Sequence, residues 1–352
     1  MFRKNIISID IGTYAIKIIV GKTQKNNVII HHAFTIPTPS ESYKNGYIKN
    51  KKALKEVIYA VLLKNKVKAK RAVCTLDSTT AITRELVFPY VKPEELGSIV
   101  QLEIEQYLPI RFDEYVIEYK ILEEFSENDI KKLRVLIAAL PKEIVESYLS
   151  LVNDLGLKPI ALDIHANAIA KAFENKFVIN NENYNLDQTV ALIDIGYEYM
   201  HIAVIDKGIL RFNRLIQQGG RNVDTDIANA FNLSLIDAAK RKIEYASLKK
   251  STQDYSSANM LNELIQSNIN IWVQEIEKIF QYYTSRARGN RIDKIYLYGG
   301  SSNIPDLSTY ISSIINIPTF KIDTMSNIKF KESNEQINLG EYINTISALI
   351  GR

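Results

Sequence analysis

Apolar residues gather at the start of the chain in three short runs, 5–11, 14–21 and 27–36, separated by polar or glycine residues. The pattern predicts a three-stranded meander. Helical spacing follows at about 49–65, where Leu54, Val57, Ile58, Val61 and Leu62 share a face and the lysines between them face water. From about 73 to 157 the pattern describes a compact unit. It has a strand at 80–88, a helix at about 93–108, strands at 115–123 and 133–140, and a helix at 142–155 that Gly156 ends. Pro93 opens the first of these helices, and Leu96, Ile99, Val100, Ile104, Tyr107 and Leu108 fall on one side of it. So small and complete a unit is expected to be an insertion, with the surrounding lobe resuming at Pro159–Asp163 and a helix at about 165–174. The polar stretch Asn180–Gln188 marks a lobe boundary.

The second half opens with another apolar hairpin at 190–205. Helices follow at about 221–232, 234–250 and 257–288, the last carrying Ile269, Trp272, Ile276, Ile279, Phe280 and Tyr283. A strand at Lys294–Tyr298 runs into Gly299-Gly300-Ser301-Ser302, a helix begins near Pro305, and a strand near 317–322 and a helix at about 340–350 complete the chain.

One segment is used twice. Ser8-Ile9-Asp10-Ile11-Gly12 and Leu192-Ile193-Asp194-Ile195-Gly196 each end an apolar run on an aspartate and a glycine before a second apolar run. A repeat half a chain apart predicts two related lobes whose turns point into one cleft, bringing two carboxylates together. Such a pair, beside glycine turns, suits a magnesium ion that keeps its waters and holds the phosphates of a nucleotide. Gly12 and Gly196 would let the backbone approach a phosphate.

Composition adds limits. With 352 residues, 46% hydrophobic and 24% charged, the chain has room for two ordinary lobes and no signature of disorder. Val57–Leu63 is among the longest apolar runs and far below the ~20 residues that span a bilayer. The start Met1-Phe2-Arg3-Lys4 is not that of a signal peptide, and the single Cys74 fits a reducing cytoplasm. A net charge of +4, with the basic residues near 49–71 interleaved with apolar ones, points away from nucleic acid.

The motifs resemble the actin-like ATPase superfamily and, within it, the PilM family of type IV pilus assembly proteins, relatives of the division protein FtsA. Asp10-Ile-Gly12-Thr13-x-x-x-Lys17 and Asp194-Ile-Gly196 are similar to its two phosphate motifs, and Gly299-Gly300 with Pro305 to its adenosine motif. The inserted unit is more specific: Arg84–Pro89, Glu94-Glu95-Leu96, Leu102–Ile110, Val135–Pro141, Gly156-Leu157-Lys158-Pro159 and Asp163 follow the family in order. Gly219-Gly220-Arg221-Asn222 and Ile227-Ala228 continue it.

The resemblance implies an α/β fold of the actin-like two-lobed type, built from duplicated ribonuclease-H-like domains with an inserted FtsA-type 1C subdomain. The first lobe would span 1–186 with 1C at about 74–157, the second 187–338 with a helical part at about 221–292, and a terminal helix 339–352. It further implies ATP or ADP with magnesium. Asp10 and Asp194 would hold the metal through water, and Thr13, Tyr14 and the amides of 12–14 the phosphates, with Lys17 supplying charge. Gly196 and Tyr197 would complete the phosphate end, Lys242 would lie near ribose and adenine, and Gly299, Gly300 and Ser301 would border the adenine. His165 falls where relatives orient attacking water with an acidic residue, and Ala239 stands where an acidic companion of Lys242 is usual. After the second Asp-x-Gly, relatives carry small hydroxyl residues. This chain has Tyr197-Glu198-Tyr199-Met200, and Glu198 would repel a phosphate unless turned away. Hydrolysis is therefore expected to be weak or absent.

As a member of such a family the chain would be a cytoplasmic scaffold, peripheral to the inner membrane through its partners. It would bind the N-terminal cytoplasmic peptide of PilN in a groove beside 1C, and connect indirectly to PilO and the pilus assembly ATPases. An FtsA-like division protein is the first rival; such proteins end in a basic amphipathic helix, whereas this chain ends at Ser347–Arg352. A sugar kinase on the same fold is the second, and would need a catalytic carboxylate for which no motif stands out.

Overall fold

The computed structural model describes residues 4–107, 111–248, 257–287, 289–331 and 337–351. The expected residues Leu108–Ile110 of the insertion motif, the ends of the helices at 249–250 and 288, and Arg352 lie outside them.

β1 (Ile6–Ile11), β2 (Ala15–Gln24) and β3 (Asn27–Pro37) form the predicted meander. Every residue of β1 is buried, Ser8 and Asp10 included, because the strand is central, with β2 antiparallel on one side and a parallel strand on the other. A two-residue pair, β4 (Tyr43–Lys44) and β5 (Tyr47–Ile48), leads into α1 (Lys51–Lys64). The Asn50 side chain caps α1 by accepting from Ala53 N–H at 3.1 Å, and Leu54, Ile58 and Leu62 bury one stripe. The parallel neighbour of β1 is β6 (Arg71–Leu76).

The insertion's own sheet is narrower than the sequence reading. β7 (Ile82–Pro89), α2 (Pro93–Tyr107), β8 (Tyr115–Glu127) and β9 (Ile130–Pro141) make a three-stranded antiparallel sheet in the order β7-β9-β8 with one helix. Phe88, Leu96, Val100, Leu133, Val135 and Ile137 form a separate core there. β6, read as the start of the unit, belongs to the main sheet, and α3 (Lys142–Asp154) buries Ile144, Tyr148, Leu151 and Val152 in the main core. β10 (Lys158–Ile164) then pairs parallel with β6, and α4 (His165–Ala172) follows.

A hairpin, β11 (Phe177–Ile179) and β12 (Glu182–Tyr184), runs into the stretch read as a polar boundary. The second sheet repeats the first, with β13 (Thr189–Ile195), β14 (Met200–Asp206) and β15 (Ile209–Ile216) as the meander. α5 (Gly220–Phe231), α6 (Leu235–Tyr245) and α7 (Ser257–Ser285) follow, then β16 (Lys294–Tyr298), α8 (Leu307–Ile315) and β17 (Thr319–Lys321). α6 is shorter than the 234–250 reading because Ala246 turns to extended backbone. Its start is set by Ser234, whose hydroxyl accepts from Asp237 N–H at 3.1 Å.

The two lobes share a core. Along β13, Val190 and Leu192 pack into the first lobe's cluster, whereas Ala191, Ile193 and Ile195 pack against the second lobe's helices. The period of two puts a different partner on each face, so both faces read as apolar. The chain then crosses back. β18 (Ile328–Phe330) pairs parallel with β3, completing the six-stranded order β10-β6-β1-β2-β3-β18. A 3-10 turn at Leu339–Tyr342 and α9 (Ile343–Ala348) bury Ile343, Ile346 and Leu349 in the first lobe's core. Sheet membership thus differs from a second lobe running to 338 and a separate terminal helix.

Candidate functional site

The two turns are built alike. Gly12 N–H donates to the Ala15 carbonyl at 3.1 Å, and Gly196 N–H to the Tyr199 carbonyl at 3.0 Å. A Cβ on either glycine would stand 2.9 or 2.8 Å from that same carbonyl oxygen, so turn closure itself demands glycine. Opposite Asp10 in the ladder stands Lys17, and opposite Asp194 stands His201. The turns also touch each other: the Tyr14 and Tyr197 rings lie 5.0 Å apart, and the Thr13 hydroxyl donates to Glu198 Oε2 at 3.2 Å.

They face a cleft of about 400 Å³, within the range of small-ligand sites. Asp10, Gly12, Thr13, Tyr14, Lys17, Asp194, Gly196, Tyr197, Lys242, Gly300 and Ser301 line it, as does His165. Gly299 sits behind this surface at φ +85°, with its N–H on the Gly340 carbonyl at 3.0 Å. Gly300 has open space where a Cβ would point. At the far end, Ala239, Lys242, Ile243 and Ala246 from α6 and its C-cap face Ile304 and Pro305.

The cleft floor is a chain of charges. His165, first residue of α4, places Nε2 3.1 Å from Asp10 Oδ1 and Nδ1 3.0 Å from Asp77 Oδ2. Burial lowers the imidazole pKa, but the carboxylates of Asp77 and Asp10 more than offset it, holding the ring well above its ordinary value and protonated. Burial raises Asp77, yet His201 and His165 pull it below the usual carboxylate range. His201 is itself held low by burial, against the pull of Asp77. Asp194 is raised by burial against the pull of His165, Lys17 and Asn344.

Asn344, on α9, donates to Asp194 Oδ2 at 2.6 Å and accepts from Tyr298 OH at 3.2 Å. Its 3.3 Å approach to Nδ1 of the protonated His165 is therefore packing between two donors. With both ring nitrogens facing carboxylates and no free lone pair, His165 organises the floor; it is poorly placed to orient attacking water.

Lys242 gains its acidic companion from another helix. Its Nζ lies 2.7 Å from Asp224 Oδ1 and 3.3 Å from the Gly220 carbonyl. Burial raises the Asp224 pKa and Lys242 partly restores it. Asp224 shares the buried face of α5 with Gly220, Ile227 and Ala228, and an acid on an apolar helix face was the available signal. Asp77 follows the carboxyl end of a central strand, a weaker signal. Asn344 had none.

Asp77→Asn should lower unfolding free energy by about 1–3 kcal/mol at pH 6, since the buried imidazolium loses one of its two carboxylates. The native Asp77 contribution, from a depressed pKa, exists above its ordinary 3.8 and fades as pH falls through the lowered value. The His165 contribution, from a raised pKa, is complete below 6.5 and fades as pH climbs through the raised value. Urea titrations should therefore show the largest gap from wild type between these limits. A gap independent of pH from 3 to 9 would show that the two groups are not ionised together.

Comparison with known proteins follows the same geometry. The model of the family described as type IV pilus assembly protein PilM matches residues 8–349. The cell division protein FtsA of Staphylococcus epidermidis is 22% identical over 348 residues, covering 88% of this chain and 72% of its own. Among solved structures, a PilM–PilN type IV pilus biogenesis complex superposes with a TM-score of 0.81 at 19% identity, covering 98% of this chain and 97% of the other. MreB5 of Spiroplasma citri bound to ADP superposes at 0.53 with 12% identity, covering 98% and 95%. These likenesses make the fold actin-like.

Proposed function

Because the chain belongs to the type IV pilus assembly protein PilM family, we propose that it is a nucleotide-binding scaffold of the pilus assembly platform, which holds ATP or ADP in the cleft and a PilN-type peptide beside the inserted sheet. A role in type IV pilus assembly comes with the family. The observation that carries the finer reading is the convergence of two identically closed Asp-x-Gly turns on one cleft. Among the described residues no helix is long and apolar enough to cross a membrane.

The residues fit a nucleotide. Open space at Gly300 admits a planar base between α6 and Pro305, and Lys242, fixed by Asp224, stands beside it. Gly196, Thr13 and Lys17, which line the same cleft, would hold the phosphates. Among the described residues no group of three His, Cys, Asp or Glu side chains could hold a metal directly. Asp10 and Asp194 each already take a protein hydrogen bond, so magnesium would be held through its waters. Three carboxylates, Asp10, Asp77 and Asp194, against the cations His165 and Lys17 leave the floor able to attract that cation. MreB5 of Spiroplasma citri, which shares the fold, has been solved bound to ADP.

For the peptide, the solved relative carries PilN, and the insertion presents two sheet edges, β7 and β8. An edge strand can accept an extended segment. Localisation on the cytoplasmic face, and linkage to PilO and the assembly ATPases, belong to the same proposal.

The nucleotide reading is tested by thermal unfolding. Magnesium ADP at a hundred times its dissociation constant should add about 2.7 kcal/mol to stability, with a corresponding rise in Tm. No rise with ADP or ATP at millimolar concentration contradicts it. Steady-state phosphoryl transfer to any small molecule would contradict the scaffold.

A further inference from the structure

The Glu198 carboxylate occupies the phosphate end of the cleft. Its Oε2 accepts from the hydroxyl of Thr13 at 3.2 Å, and its Oε1 accepts from the guanidinium of Arg221. Its side chain is 10% exposed while that of Arg221 is 51% exposed. Thr13 and Arg221 are the kind of donors that hold a phosphate oxygen, and here an internal anion takes them both.

The neighbouring donors are also taken. Gly220 and Arg221, the first two residues of α5, direct their N–H groups at the carbonyls of Gly196 and Tyr197, at 3.0 and 2.8 Å. The helix N-terminus is thus spent on the second turn. Contacts also order the cleft along its length: Lys242 and Ser301 lie beside Gly220, Ser301 bonds the Gly196 carbonyl at 2.9 Å, and Glu198 bridges from there to Thr13. A ligand with its base near Lys242 therefore meets Glu198 with its outermost phosphate.

We infer that Glu198 is a built-in phosphate surrogate that makes the cleft select nucleotides by phosphate number, admitting a diphosphate in place and requiring a triphosphate to displace the carboxylate from Thr13 and Arg221. The inference rests on the cleft binding a nucleotide. It has a structural corollary. The Thr13–Glu198 bond joins the two lobes across a sequence separation of 185 residues, so displacement exchanges a lobe-to-lobe contact made by the protein for one made through the ligand.

The test is calorimetric titration of the full chain with adenosine, ADP and ATP, each with magnesium, for wild type, Glu198→Ala, Glu198→Gln and Arg221→Ala. Removing the charge in either Glu198 variant should raise ATP affinity ~10-fold relative to ADP, the scale of one close, partly screened charge pair, with adenosine unchanged. Arg221→Ala, which leaves the carboxylate unpaired, should shift the ratio the other way. Glu198→Gln preserves shape, so it serves if the alanine variant does not fold. A role confined to joining the lobes would alter unfolding temperature without altering the ratio. An ATP-to-ADP ratio equal in wild type and both Glu198 variants, with ADP bound, overturns this inference alone. Absence of binding by any nucleotide to any variant overturns the nucleotide reading with it.

Discussion

Gly299→Ala is expected to lose about 3–5 kcal/mol of unfolding free energy, the upper range for a single substitution. Two effects add. Gly299 has φ +85°, a conformation that side chains rarely adopt, and a Cβ there would collide with Asp194 Oδ1 and stand 2.8 Å from the Ile195 carbonyl. The side-chain oxygen could swing aside only by leaving Asn344, while the carbonyl belongs to β13 and cannot move without disturbing the ladder. Gly299 N–H also holds the Gly340 carbonyl, so the strain reaches the terminal turn that seals the first lobe's core. Denaturant unfolding measures the loss. A cost below 1 kcal/mol would mean that the approach between β16 and the second turn is looser than described.

Arg134→Ala should cost about 2–4 kcal/mol by stranding the partly buried Glu85 carboxylate. Arg134, on β9, binds Glu123 of β8 through Nε and Glu85 of β7 through Nη1, both at 2.6 Å, and so ties the three strands of the insertion together. Its guanidinium also lies 4.9 Å from the Phe125 ring centroid. Burial lowers the arginine pKa, but the two glutamates hold it above its usual value. Glu123 keeps a second partner, Arg211 of β15, at 2.6 Å, whereas Glu85 pairs with no other cation among the described residues. Arg211→Ala is the informative companion. It removes a link between the insertion and the second lobe, leaves Arg134 in place, and should cost less. If Arg211→Ala proves the more damaging of the two, the network's weight lies between the lobes and not within the insertion.

What the sequence revealed and what it concealed have physical reasons. The paired turns were legible because each is local: apolar run, aspartate, glycine, apolar run, with the glycine required by a carbonyl three residues ahead. Trp272 and its neighbours on α7 were legible because a long helix repeats its burial. The insertion was legible as a unit, but its edges were not, since β6 and α3 are as apolar as the insertion's own elements, and only strand pairing assigns β6 to the main sheet and only packing assigns α3 to the main core. β18 is three residues long, and its partner β3 lies about three hundred residues away, so no periodicity could announce it. The site shows the same division. Asp10, Asp194 and Lys17 belong to motifs, whereas Asp77 from the loop after β6, Asn344 from α9 and Asp224 from α5 matter only through their tertiary contacts. Ala239 illustrates the point: the missing acidic companion of Lys242 is supplied by Asp224 from α5.

His165 and Glu198 together carry the proposal that the cleft holds a nucleotide without hydrolysing it. A protonated imidazole between two aspartates is a fixed charge with no lone pair for a water, and a carboxylate at the phosphate end stands where a terminal phosphate would have to enter. Both arrangements favour holding a ligand over cutting it.

The central claim is that this nucleotide-holding fold serves as a peptide-binding scaffold. Its most direct test is calorimetric titration of the full chain with a synthetic N-terminal cytoplasmic peptide of a PilN protein, with and without magnesium ATP. The account expects saturable one-to-one binding whose affinity changes when nucleotide is present; no binding under either condition contradicts it.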